Sequence, residues 1–162
     1  MDDADWNEQA RGETETQRLD RNWASLLQEL RVVQTGVQLL TGFLIVLPFQ
    51  PRFESMGTPA RALYLVVVTA SISATVLLVA PVAAHRVVFR RHELAWLVSS
   101  SSRIAVAGIL LLGVALTGVA ILIFDVVAGP WAAVAAGVLF GMLFLGVWVV
   151  WPWYQRLHSA HR

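Results

Sequence analysis

Hydrophobic residues in this chain gather into long unbroken blocks, without the strict alternation that a half-buried strand would show. Ile104 to Phe124 is a run of 21 residues without a charge, and Trp131 to Trp151 is another of 21. At 1.5 Å per residue, each block reaches about 31 Å as a helix, close to the roughly 30 Å hydrocarbon layer of a bilayer. Ala62 to Ala84 forms a third block, interrupted only by hydroxyl side chains and by Pro81 near its end. Val32 to Phe49 is a shorter, more polar core, and the span that contains it begins near residue 28. The pattern predicts an all-α membrane protein: a bundle of four transmembrane helices at about 28–49, 62–84, 104–124 and 131–151. Helices are required because lipid offers no hydrogen-bond partner to an open strand edge.

Punctuation agrees with these limits. Pro48, Pro51 and Pro59 bracket a turn around Gly57, and Gly129 with Pro130 breaks the chain after Asp125. The serine run 99–102 offers an N-cap for the third span. Ahead of the first span, residues 1–12 read as a disordered acidic tail, carrying Asp2, Asp3, Asp5 and Glu8 and no apolar stretch of signal-peptide type. Thr14 followed by Gln17 matches a capping box. Leu19, Trp23, Leu26 and Leu30 then recur at helical spacing. They predict an amphipathic helix that either lies at the cytoplasmic interface or runs straight into the membrane, packing on its own bundle or docking a partner. Residues 13–162 are expected to form one domain.

Composition narrows the class. Hydrophobic residues are 57% of the 162 and charged residues 14%, against about 45–50% and 25% in soluble chains. With a mean hydropathy of +0.63, these values exclude a disordered chain and argue against a water-soluble domain. The absence of Cys excludes disulfides, thiolate metal sites and thiol nucleophiles. A net charge of +1 gives no field that would attract nucleic acid. The charge distribution is more telling. All twelve Lys-or-Arg residues are arginine, and ten of them fall before the first span or at its mouth (Arg31), between spans two and three, or after the fourth; only Arg52 and Arg61 lie on the other side. The excess of arginine on one side predicts that both termini are cytoplasmic.

The first span holds the residues with most chemical content. At 100° per residue, Arg31, Gln34, Gln38 and Thr41 share an arc of about 80°, with Gly42 beside it. Such a stripe should face the interior of the bundle, another copy, or water. It serves either as hydrogen-bonding glue between helices or as one wall of an ion path. Glu29 is the candidate proton-titrating group for such a path. It points more than 90° away from the stripe, beside Ser25 and Gly36, and lies about one turn outside the apolar core. Asp125 at the far interface reads as a hairpin cap, so the acids leave the middle of the barrier empty.

Elsewhere, Thr69 with Ser73 and Ser71 with Thr75 repeat at i,i+4 in the second span, where hydroxyls usually bond their own backbone. Pro81 removes the usual donor to the Leu77 carbonyl and predicts a kink there. His85, Arg86, Arg90, Arg91 and His92 form a basic collar for anionic headgroups. His85 and His92 share a helix face, but no further ligands accompany them, so no metal or cofactor is expected. On the fourth span Ala133, Gly137 and Gly141 make a small-xxx-small packing run, with Phe140, Phe144, Trp148 and Trp151 over nearly the same arc. Its contact is either within the bundle or between copies. Trp151, Trp153 and Tyr154 form an interfacial belt. No phosphate loop, Ser/His/Asp set or carboxylate pair occurs, so no enzyme is expected.

The stretch Glu13-Thr14-Glu15-Thr16-Gln17-Arg18-Leu19-Asp20 and the segments LLQELRVVQTGVQLLTGFLIVLPFQPRF (Leu26 to Phe53) and YLVVVTASISATVLLVAPVAAHRVVFRR (Tyr64 to Arg91) resemble a family of small bacterial four-helix membrane proteins of unknown function. Members of that family are sometimes labelled sodium:proton antiporters. The resemblance implies the four-span architecture and a bacterial inner-membrane location, but carries no catalytic motif onto particular residues here. Two expectations follow: a non-catalytic membrane protein that forms a homo-oligomer or serves another membrane protein as an accessory subunit, or a dimeric proton-coupled exchanger of a monovalent cation. In the second, Glu29 would titrate and Gln38 and Thr41 would offer oxygens to the ion. A reporter fused after Arg162 should be active in the cytoplasm; activity on the opposite side of the membrane would overturn the orientation drawn from the arginines.

Overall fold

The computed structural model describes residues 12, 14–88 and 94–159. Its elements are helices: α1 (Glu15–Val46), α2 (Pro51–Glu54), α3 (Thr58–Val88), α4 (Leu94–Ala128), α5 (Pro130–Leu145) and α6 (Trp151–Ser159). Four candidate membrane spans are built from these helices and the helical turns that extend them, at Asp20–Phe49, Thr58–Ala84, Ser100–Ala128 and Pro130–Gln155. All four start ahead of the boundaries read from hydropathy, because a helix continues through interfacial polar residues until its backbone bonds are broken or capped.

The start of α1 is the expected capping box. The Thr14 hydroxyl accepts from the Gln17 N–H at 3.4 Å, and the Thr14 N–H donates to Gln17 Oε1 at 2.9 Å. From this cap α1 runs 32 residues without a break, so the leader passes directly into the first span. Trp23 and Leu30 are buried, and Leu26 packs against the core. The helix ends in a 3₁₀ turn over Leu47–Phe49, where Pro48 and Pro51 prevent the α-helical ladder from continuing. The Arg61 guanidinium ties this connection down by donating to the Glu54 carbonyl at 2.7 Å and lying 5.9 Å from the centroid of the Phe53 ring.

One boundary departs from expectation. The serine run does not cap the third span, since α4 already begins at Leu94 and carries all four serines inside it. Ser101 is 2% exposed. A small side chain suits this buried position, and the intact backbone ladder removes any need for a cap there. The α4–α5 connection is shorter than a usual loop. Gly129 alone separates the helices at φ +86°, a left-handed conformation that disfavours other residues. Its N–H donates to the Asp125 carbonyl at 3.0 Å, so the cap at Asp125 is made by its backbone. After α5, Gly146–Val150 forms a π-helical turn in which the Trp151 N–H reaches the Gly146 carbonyl five residues back. This wider turn lies directly before Pro152, whose ring would crowd the Trp148 carbonyl in a regular α-helix.

The spans do not close into a ring. Helix α4 is central: it packs along α3, along α5 and against part of α1, while α1 packs mainly on α3. Helix α5 makes no comparable contact with α1 or α3. Burial follows this arrangement, with 33% of the apolar window buried in α3 and α4 but only 11% in α1 and in the last span. Two core layers join α1, α3 and α4. One is built on Leu30, Val37, Ala74, Leu78 and Ala105, the other on Leu44, Tyr64, Val67 and Leu122. Large exposed side chains such as Phe43, Leu65, Leu139 and Met142 complete a surface suited to acyl chains and too apolar for water.

Small residues on α4 allow the central contact. A Cβ on Gly108 would lie 2.9 Å from Leu78 Cγ, and one on Gly118 would collide with Val67 Cγ2. Val67 is buried and β-branched, so it has little freedom to yield. Gly118→Val should therefore destabilise the fold by about 1–3 kcal/mol or more. Gly141→Ala, whose new methyl would lie 3.9 Å from Thr117 Cγ2, should be close to neutral. Thermal unfolding in detergent checks both; equal midpoints for the two variants would refute the close α3–α4 contact.

Candidate functional site

The structure divides the polar stripe of the first span into two pairs. Gln34 and Thr41 turn toward α3, while Arg31 and Gln38 stay exposed. Gln34 Nε2 donates to the Leu78 carbonyl at 2.7 Å. That carbonyl lies one residue beyond Leu77, whose usual helical donor is lost to Pro81, and a proline within a helix tilts nearby carbonyls away from the ladder. Pro81 and Leu78 are themselves fully buried. The amide of α1 thus reaches the α3 backbone at the place where proline loosens it.

Thr41 makes the second clip. Its Oγ1 donates to the Val37 carbonyl at 2.8 Å and lies 2.6 Å from Ser71 Oγ. A hydroxyl has one proton, so with Thr41 donating to its own helix, Ser71 is the donor between the helices. Ser71 is completely buried. Its hydroxyl therefore acts across the helix interface, unlike that of Thr75, which donates back to the Ser71 carbonyl at 3.0 Å. The two clips share one register: seven residues forward on α1, from 34 to 41, correspond to seven back on α3, from 78 to 71. Antiparallel helices demand this relation. A third contact closes the far end, where Tyr64 Oη donates to the Leu44 carbonyl at 2.9 Å and its ring meets Phe53 edge-on at 5.0 Å.

The remaining candidates are dispersed. Arg31 Nη1 donates to Gln28 Oε1 at 3.3 Å along its own helix. Gln38 makes no hydrogen bond among the described residues. Glu29 is exposed, accepts from Ser25 Oγ at 3.3 Å and lies off the stripe, as helical geometry requires. The small residues of the fourth span face α4 within the same chain: Ala133 is buried, Gly137 abuts Ile121, and Gly141 lies near Thr117. Aromatic pairs fill in beside them, Phe124 with Phe140 at 6.4 Å and Phe144 with Trp148 at 4.8 Å. Of the basic collar, Arg90, Arg91 and His92 and the side chains of His85 and Arg86 lie outside the described residues.

A groove of about 510 Å³ opens over α4 between α3 and α5, with Val67, Gly113, Gly118, Phe144 and Trp148 among its walls. Thr117 is its one hydroxyl side chain, and it donates to the Gly113 carbonyl at 2.8 Å. The stripe on α1 contributes nothing to this groove.

Sequence periodicity locates Gln34 and Thr41 but does not single out Ser71 or Tyr64 as their counterparts. The available signal is register: sliding the first two spans past each other antiparallel pairs Thr41 with Ser71. The glycines of α4 are legible only as small residues spaced through the third span. If the clips act as cross-helix bonds, Thr41→Val and Ser71→Ala should couple by about 0.6–2 kcal/mol in a double-mutant cycle of unfolding in detergent. Strict additivity would show that the pair contributes nothing across the interface.

Residues 12–152 match a family described as a family of unknown function, DUF6328. The match extends beyond the three stretches that carry the resemblance, through the third and fourth spans. No curated protein and no solved structure matches the chain.

Proposed function

The chain belongs to DUF6328, and on that footing we propose that it is a non-catalytic multi-pass membrane protein acting through association with further copies of itself or with another membrane protein. The observation behind this reading is the use made of the polar stripe. Gln34 and Thr41, the inward members, are occupied by the Leu78 carbonyl and by Ser71. An ion path needs such groups to face water or the ion, and these bind helix to helix instead. Glu29, the acid a proton-coupled path would call on, is exposed on another face of α1 and bonded to Ser25. The groove between α3 and α5 is apolar and suits acyl chains or a hydrophobic helix better than a hydrated ion.

In this reading the arginine-rich side faces the cytoplasm, with both termini there. The competing reading, proton-coupled exchange of a monovalent cation by paired copies, draws on Gln38, which makes no bond among the described residues and is open to a neighbour. Two such copies would bring two amides together, but the carboxylates of Glu29 would remain on the far faces of their helices. Proteoliposomes loaded with a pH dye distinguish the two. Folded, reconstituted protein challenged with Na⁺ or K⁺ should move no more protons than empty vesicles do. Cation-dependent proton flux that disappears in Glu29→Gln would defeat the proposal and establish exchange.

A further inference from the structure

Helix α1 lies at the edge of the fold, and its exposed side is of two kinds. One part is fully apolar, with Val32, Leu39, Phe43 and Val46 more than half exposed. Beside it runs a strip in which Arg31, Thr35, Gln38 and Gly42 share an arc of about 60°, all four exposed. Within this strip Thr35 is satisfied, its hydroxyl donating to the Arg31 carbonyl at 3.1 Å. Arg31 is held sideways by Gln28 at the level where the apolar core begins. Gln38 is different. It lies seven residues, about 10 Å, deeper than Arg31, with no hydrogen-bond partner among the described residues.

The one other carboxamide at comparable depth is Gln34, a turn away, and its amide reaches the Leu78 carbonyl. Gln38 is exposed off that interface and makes no such bond among the described residues. Acyl chains cannot replace the water an amide gives up on entering the membrane. A group of this kind calls for a partner, and its chemistry restricts which. A carboxamide carries both donors and an acceptor, so it complements an identical group: two facing amides exchange N–H···O=C bonds reciprocally. Copies inserted with the same topology are related by a two-fold axis along the membrane normal, and such an axis places a residue opposite itself where the helices cross. Gly42, one turn from Gln38, has nothing within 4 Å of a built Cβ, leaving room for a second backbone to approach.

We propose that two copies of this chain associate through parallel α1 helices that cross at Gln38, whose carboxamides hydrogen-bond each other, with Gly42 at the close approach. This rests on the reading of the protein as one that acts by association, and names the surface and the partner. The two Arg31 side chains fall at the membrane edge, where water and anionic headgroups screen their charges and the helices diverge from the crossing. The four spans of each copy stay intact, because α1 keeps its clips to α3 on the opposite flank.

The test uses the full chain in liposomes, with fluorescently labelled copies at graded protein-to-lipid ratios. Energy transfer should report a dimer, and Gln38→Leu should weaken association by about three- to thirtyfold, the range of interhelical hydrogen bonds in membranes. Gln38→Asn should retain part of the affinity. Because Gln38 is exposed in the single chain, Gln38→Leu should keep its helical content and melting behaviour, which separates loss of association from loss of fold. The chain contains no Cys, so Gln38→Cys provides a single thiol that should give disulfide-linked dimers on oxidation, whereas Leu65→Cys, on the lipid-facing side of α3, should not. A dimer that Gln38→Leu leaves unchanged, with no cross-link at position 38, would overturn this surface while sparing the association reading. A chain that stays monomeric at every ratio would overturn the proposed dimer and leave association only with a different protein. Proton flux in the vesicle assay would strike at the association reading itself.

Discussion

A hydrocarbon layer supplies no hydrogen bonds, and much of this structure follows from that lack. Each backbone N–H and C=O within the layer has to be paired inside the protein, so the chain becomes long helices. Among the described residues, its turns fall where proline or glycine stands: Pro48 and Pro51 at one, Gly129 and Pro130 at another. The same demand reaches side chains. Thr35, Thr41, Thr75 and Thr117 all donate to carbonyls four residues back on their own helices. Each hydroxyl is satisfied locally, and its methyl is left to pack against lipid or a neighbouring helix.

Where a side chain is satisfied across an interface instead, the fold is drawn together. An amide as long as that of Gln34 bonds across to the α3 backbone near Pro81, and Ser71 bonds across to Thr41. Both clips join α1 to α3 in a single antiparallel register. Association of α3 with α4 has another basis. It depends on the missing side chains at Gly108 and Gly118, which allow Leu78 and Val67 to lie against the α4 backbone. In lipid, where hydrophobic burial gives little drive between helices, close van der Waals contact and hydrogen bonds are the remaining sources of specificity. This protein places them on different interfaces.

That division explains the open arrangement of the spans. Helix α5 has one close partner, α4, and follows it from a single-residue turn at Gly129. A groove therefore remains between α5 and α3, and α1 keeps one flank uncovered on the other side of the molecule. The inward half of the polar stripe is consumed in holding the fold, and the outward half is left for whatever the protein meets in the membrane.

Hydropathy, capping and turn residues were enough to determine the class of the fold, the number of candidate spans, the capping box at Thr14 and Gln17 and the hairpin at Gly129, because each depends on a few neighbouring residues or on local agreement with lipid. They were also enough to separate Glu29 from the stripe, since a regular helix fixes relative direction. The serine run was misleading: serine favours caps only when the ladder stops, and here α4 packs through that stretch. Which members of the stripe turn inward, the pairing of Thr41 with Ser71 and the seating of Gly118 on Val67 were decided by tertiary structure alone. Periodicity gives angles around one helix axis; only the position of a second helix determines which of those angles lies inside.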